Sequence, residues 1–285
     1  MPELRLSDGA LIAYEDVGNG RPLLLIHGWG TRASFFAPQL DGLADGFRLI
    51  APDLRGHGQS RQHGAGADIP RLAADISELA AALDLRGILA IGWSMGAMVL
   101  WQALLEGGLR QRTAGLVSID MAPKVLNGPD WPHGLRGSHP AKAGSQALDL
   151  MRLGWAAVAP RIAARIFAQG HEAERAVLRR WAAMEIAGAD PVAMASLWAS
   201  LTALDFRDRL PGLDLPALVS FGQLSRLYPA ETAPILAGLL PQSRLLGFPR
   251  SGHAPQLEEP LSFNQAIRDF AARLPTHADN DKRGE

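Results

Sequence analysis

The sequence predicts an α/β protein: a mostly parallel, twisted sheet flanked by helices on both faces, with a helical cap inserted past its middle. Three observations predict it. Short runs such as RPLLLIHG and GILAIGWS are apolar throughout rather than alternating, as strands buried on both faces are. Segments with apolar residues at helical spacing lie between these runs. The strand pattern then lapses between about residues 123 and 205 and resumes afterwards.

Taken in order, ELRL and LIAYEDV flank Ser7-Asp8-Gly9, and Asp-Gly between two alternating runs predicts a hairpin. RPLLLIHG (21–28) is the first fully buried strand. Residues 33–44 read as a helix, FRLIAPD (47–53) as a strand and LRGHGQS as a glycine-rich loop. Pro70 suits the first turn of a helix through RLAADISELAAALD. GILAIGWS (87–94) is a strand running directly into a helix, AMVLWQALLEG, that stops at Gly107. AGLVSID (114–120) is a further strand. The interruption begins loop-like, NGPDWPHGLRGSHP, and becomes helical. LPALVSFG (215–222) and SRLLGFP (243–249) are the last strands, separated by a helix around 230–240 and followed by one over about 260–274. The expected organisation is a core of residues 1–122 and 206–275, a helical cap over 123–205, and a flexible tail, THADNDKRGE, over 276–285.

With 285 residues, 47% of them apolar and 20% charged, the chain has ordinary globular composition. A formal net charge of −1 supplies no electrostatic case for nucleic acid or an anionic membrane. Cysteine is absent, which excludes disulfides, thiolate metal sites and a cysteine nucleophile. The start, MPELRLSDGA, has neither a basic region nor an apolar one, so no secretory signal is expected. No stretch approaches the roughly 18 apolar residues of a membrane helix. These features point to a cytoplasmic protein. Between 124 and 204 there are 9 Lys/Arg and 6 Asp/Glu, and Arg161, Arg165, Arg175, Arg179 and Arg180 read as a solvated helix face.

Gly92-Trp93-Ser94-Met95-Gly96 carries the chemistry. It joins the end of a buried strand to the start of a helix, and its glycines permit a tight turn that presents the Ser94 hydroxyl above the sheet edge. The helix N-terminus supplies N–H groups and partial positive charge where an oxyanion would form. The bland alternative is a serine that only caps the helix. His27-Gly28-Trp29-Gly30 follows another buried strand on the same rim, so the N–H groups of Trp29 and Met95 can form an oxyanion hole. His27 reads as a structural brace of that loop. Ser251-Gly252-His253-Ala254-Pro255 holds a histidine on a short turn after the last strand, suited to a general base. His57 reads as structural or lining. His63, His133, His139, His171 and His277 fall in loops, cap or tail.

HGWG, PDLRGHGQS, GWSMG and SGHAP, in that order over most of the chain, resemble the α/β-hydrolase superfamily with a helical cap. The similar groups are carboxylesterases of the pimeloyl-ester esterase type, haloperoxidase-like esterases and meta-cleavage C–C hydrolases. The resemblance implies Ser94 as nucleophile, His253 as base, Trp29 and Met95 as oxyanion donors, and structural roles for Asp53 and Arg55. It also implies an acid after the strand that follows the cap, in a pattern like G-x-x-D-x-x-x-P. Here that stretch reads Gly222-Gln223-Leu224-Ser225-Arg226-Leu227-Tyr228-Pro229, with Ser225 in place of the acid. Asp120, closing the strand before the cap, is the substitute; some haloalkane dehalogenases look similar in this respect. Its rivals are Asp205 and Asp208 in LDFRDRL, which read as structural, Asp214 at the wrong end of its strand, and Asp130 and Asp149 in the cap. Ser225 is expected to be a bystander.

The expected activity is hydrolysis of a small-molecule carboxylic ester or lactone with a largely apolar acyl group, with no cofactor and no metal. Trp93 and Trp155 are the candidate pocket walls. The alternatives are C–C bond hydrolysis of the meta-cleavage type and a hydrolase-fold receptor or scaffold with little turnover.

Overall fold

The structure, a computed structural model, describes residues 1–63, 66–106, 108–140 and 154–275. Asp149, His277, the expected helix stop at Gly107 and the tail 276–285 lie outside the described residues.

Eight strands form one sheet in the order β1-β2-β4-β3-β5-β6-β7-β8. β1 (Glu3–Arg5) and β2 (Leu11–Gly18) form the expected hairpin, and β2 is also antiparallel to β4 (Phe47–Pro52). β3 (Arg21–Ile26), β5 (Ile88–Trp93), β6 (Thr113–Ile119), β7 (Ala217–Gly222) and β8 (Ser243–Phe248) are parallel to their neighbours, as is β4 to β3. Every residue of β5 and β6 is buried, which is why these strands read as unbroken apolar runs.

The helices follow their local signals. The 33–44 segment divides into a 3₁₀ turn, Ala33–Phe36, and α1 (Ala37–Leu43). α2 (Ile69–Ala82) opens with Pro70 in its first turn, and the Asp68 carboxylate accepts from the Arg71 N–H at 2.7 Å. α3 (Met95–Leu105) is buried along nearly its whole length, at the centre of the core. Between β6 and β7 lie α4 (Trp155–Ile166), α5 (Ala176–Ala187) and α6 (Pro191–Ala203), the last capped by Asp190. α7 (Thr232–Leu239) joins β7 to β8. The expected final helix is two pieces, α8 (Pro255–Glu258) and α9 (Pro260–Ala271). Pro260 has no N–H with which to continue the ladder. Among the described residues no helix is long and apolar enough to cross a membrane.

The two ends of the β6–β7 insertion meet. The Phe206 N–H donates to the Pro123 carbonyl at 2.9 Å, beside a bridge between Lys124 and Asp205. The chain thus leaves the core and returns to it at one place.

Candidate active site

Register places two of the expected residues side by side. Trp93 at the end of β5 pairs with Ile119 at the end of β6, and Ile119 pairs with Ser220 in β7. The next residues, Ser94 and Asp120, continue the ladder: Ser94 N–H donates to the Ile119 carbonyl at 2.9 Å, and Asp120 N–H to the Ser220 carbonyl at 2.8 Å. Both then turn away through left-handed backbone, with φ of 54° at Ser94 and 42° at Asp120. Non-glycine residues adopt this conformation only where their surroundings impose it. At Ser94 the imposing contact is local. A β-carbon on Gly96 would collide with the Ile26 carbonyl oxygen, and one on Gly92 would lie 2.6 Å from the Ala97 nitrogen. The two glycines of the GWSMG turn let strand, helix and neighbouring loop approach this closely. Ser94 makes no side-chain cap bond to α3, so the capping alternative does not describe it.

His253 lies in the β8–α8 loop, where its Nδ1 is 2.6 Å from Asp120 Oδ2. Both side chains are buried, at 4% and 5% exposure, so this contact is little screened by solvent. The Ser225 hydroxyl donates to the same Oδ2 at 2.8 Å and accepts from the Leu227 N–H at 3.3 Å. The expectation of Ser225 as a bystander is therefore corrected: it hydrogen-bonds the carboxylate that bonds the histidine. Position 225 retains a donor at the end of the β7 loop, and Asp120 reaches it from β6.

Ser94 and His253 line one cavity of about 530 Å³, together with Gly28, Trp29 and Tyr228. A β-carbon on Gly28 would lie 3.3 Å from Ser94 Cβ, so the His27–Gly30 loop passes directly beside the serine. Two buried histidines brace that loop. His27 Nδ1–H donates to the Gly28 carbonyl at 2.9 Å and its Nε2 accepts the Leu54 N–H at 2.9 Å. His57 Nε2 accepts the Gly30 N–H at 3.1 Å. Burial lowers the pKa of His27 to about 4 and that of His57 to about 3, so both are neutral supports. Asp53 accepts the N–H groups of Ala33 and Gln59, and Arg55 pairs bidentately with Asp75; both are structural, as expected.

The tryptophans divide. Trp93 lines the cavity, stacks on Phe35 at 5.5 Å, and donates its indole N–H to the His253 carbonyl at 2.7 Å. Trp155 is a correction. It packs edge-on to Trp29 at 5.3 Å, donates to the Ile186 carbonyl and is not among the described residues lining the cavity; Trp198 is. The rival acids stand elsewhere. Asp205 and Asp208 are exposed, with Asp205 paired to Arg207 and Lys124. Asp214 bonds Gln242 and Asp130 bonds Arg207.

Two features were missed by sequence reasoning. Tyr228 is buried beside His253, its ring 6.0 Å from the imidazole and its hydroxyl donating to Met121 Sδ at 3.2 Å. Burial and the Asp120 charge push its pKa far up, so it stays protonated. Arg161 and Arg165 are exposed, as a solvated face requires, but they also border the same cavity with Arg136, whereas Arg175 turns inward to Glu258. The helical spacing of 161 and 165 was visible, but not which way that face turned.

A family model described as alpha/beta hydrolase fold matches residues 21–260. The chain is 32% identical over 257 residues to a pimeloyl-[acyl-carrier protein] methyl ester esterase of Edwardsiella ictaluri, covering 88% of this chain and 93% of that protein. Among solved structures it is similar to an esterase from Exiguobacterium antarcticum, with a TM-score of 0.86 at 26% identity over 95% of this chain and 98% of that one. A thermophilic esterase from Thermogutta terrifontis superposes with a TM-score of 0.83 at 28% identity, again over 95% and 98% of the two chains.

Proposed function

The chain belongs to the α/β-hydrolase family, and from that premise we propose that it is a cytoplasmic serine hydrolase of carboxylic esters. The observation that carries this reading is the buried 2.6 Å Asp120–His253 contact at the wall of a cavity onto which Ser94 opens. In the proposed reaction His253 Nε2 takes the Ser94 proton as Oγ attacks the ester carbonyl. Asp120 fixes the imidazole tautomer through Nδ1 and stabilises the imidazolium. The N–H groups of Trp29 and Met95 receive the oxyanion. The tetrahedral adduct expels the alcohol with the proton from His253, leaving an acyl-enzyme. Water, deprotonated by His253, then releases the acid.

We read residues 123–205 as the cap over this site, supported by their common exit and return at Pro123 and Phe206. Val125, Leu135, Val158, Ile162, Ile166 and Leu201 from this segment give the cavity an apolar wall, which suits an aliphatic acyl chain. Arg136, Arg161 and Arg165 stand on the same wall, and no carboxylate pairs with them among the described residues. They support a substrate with negative charge remote from the ester. The Edwardsiella relative's named substrate, a methyl ester on an acyl-carrier protein, is one substrate of the ester class.

The test is labelling with a fluorophosphonate followed by p-nitrophenyl esters of rising chain length. Ser94 is expected to be the labelled residue, and Ser94→Ala to lower kcat by about 10⁶. An unlabelled Ser94 would overturn the reading in favour of a binding scaffold.

A further inference from the structure

We propose that Glu258 is a positioning residue for His253, acting by fastening the histidine loop to the β6–β7 insertion. The inference rests on His253 being the base.

Both backbone groups of His253 are engaged. Its carbonyl accepts from Trp93, and its N–H donates to the carbonyl of Ile166, the last residue of α4, at 2.7 Å. The loop and the insertion touch without intervening side chains, for a β-carbon on Gly252 would collide with the Ala168 nitrogen. Glu258, at the end of α8, closes this contact. Its side chain is fully buried. Oε1 accepts the Gly252 N–H at 2.7 Å and Oε2 the Ala168 N–H at 2.8 Å, one from the histidine loop and one from the insertion. Arg175, also of the insertion, lies 3.4 Å from Oε2 and donates to the Glu258 carbonyl at 3.3 Å.

A buried carboxylate is costly unless each oxygen is satisfied, and an apolar residue here would strand two buried amides. What the carboxylate achieves is a fixed distance between Ile166, a wall of the cavity, and the backbone that carries the imidazole. Misplacing a catalytic group by about 1 Å from a remote site can cost about 10²-fold in rate. Among the described residues, Arg175 is the charged group facing Glu258 from the insertion. On its own side, Glu259 turns to the Ser251 hydroxyl and the Arg250 N–H, and the His253 ring turns to Asp120. Burial holds the Glu258 carboxyl above its usual range despite Arg175, so acidification removes an acceptor from this junction before most carboxylates titrate.

The experiment compares Glu258→Gln and Arg175→Met with the wild-type chain, using a neutral p-nitrophenyl ester. A glutamine keeps one acceptor and turns an NH₂ toward the other amide. We expect Glu258→Gln to lower kcat by about 10- to 100-fold with KM within about threefold, to slow fluorophosphonate labelling in proportion, and to shift the downfield proton resonance of His253 Nδ1–H. Arg175→Met removes the cation and its two bonds to Glu258 but leaves the Gly252 and Ala168 amide bonds to the carboxylate in place, so the Glu258 carboxyl should rise further and the acid limb of kcat/KM move to higher pH. A folded Glu258→Gln with wild-type kcat and an unmoved resonance would overturn the inference. If that variant does not fold, an unmoved acid limb in Arg175→Met overturns it. Labelling of wild-type Ser94 separates the two levels: no label defeats the serine-hydrolase reading itself, while equal labelling of wild type and Glu258→Gln defeats only the role of Glu258.

Discussion

Asp120 Oδ2 receives two hydrogen bonds, from His253 and from Ser225, and the two donors differ in what their removal should do. Asp120→Asn keeps the shape but offers an amide where a carboxylate fixed the tautomer, so kcat should fall by about 10⁴ with the circular dichroism unchanged. Near-full esterase activity in that variant would sink the assignment of the acid. Ser225→Ala leaves the charge in place and removes one bond to it. Hydrogen bonds to charged groups contribute about 1.5–3 kcal/mol, so a loss of about tenfold or more in kcat is expected. An unchanged kcat would return Ser225 to the role of filler.

The elements that hold these residues were legible wherever a local pattern suffices. Apolar runs ending in glycine or aspartate marked the strands, and the glycines around Ser94 and His253 marked turns that a side chain would obstruct. Asp120 was legible through a gap, because position 225 lacks a carboxylate and Asp120 ends the neighbouring strand. Glu258, Tyr228 and the place of the cavity arginines were not legible, since each owes its place to contacts across ninety residues or more or to the rotation of a helix face. Trp155 was misplaced for the same reason: nothing local tells a wall of a cavity from the residue behind it. The tight turn before α3 gives a prediction at this scale. Gly96→Ala must push α3 away from the Ile26 carbonyl, an overpacking worth about 1–3 kcal/mol. Chemical unfolding should show that loss and labelling of Ser94 should slow; a variant as stable and as reactive as the parent would refute the close-packing account.

Across the molecule, the neutral histidines under the rim make stability depend on acidity. Unfolded, His27 and His57 titrate near pH 6.5; folded, they do so at about 4 and about 3. Their folded pKa values are depressed, so the unfolded chain binds more protons below pH 6.5. Their stabilising contribution is complete above that pH and is lost as it falls toward 4, at up to about 1.4 kcal/mol per pH unit for each histidine. Urea midpoints measured from pH 8 to pH 5 should therefore drop steadily below 6.5, and a flat profile would contradict neutral burial. The position of Asp120 ahead of the insertion has a different consequence. With the proposed nucleophile and acid both within the first 120 residues and the proposed base at 253, a break at the exposed turn around Gly170 leaves Ser94 and Asp120 on one fragment and His253 on the other. Neither half then holds all three proposed catalytic residues, and recovered ester turnover on mixing would report the reassembly of two polypeptides across β6 and β7.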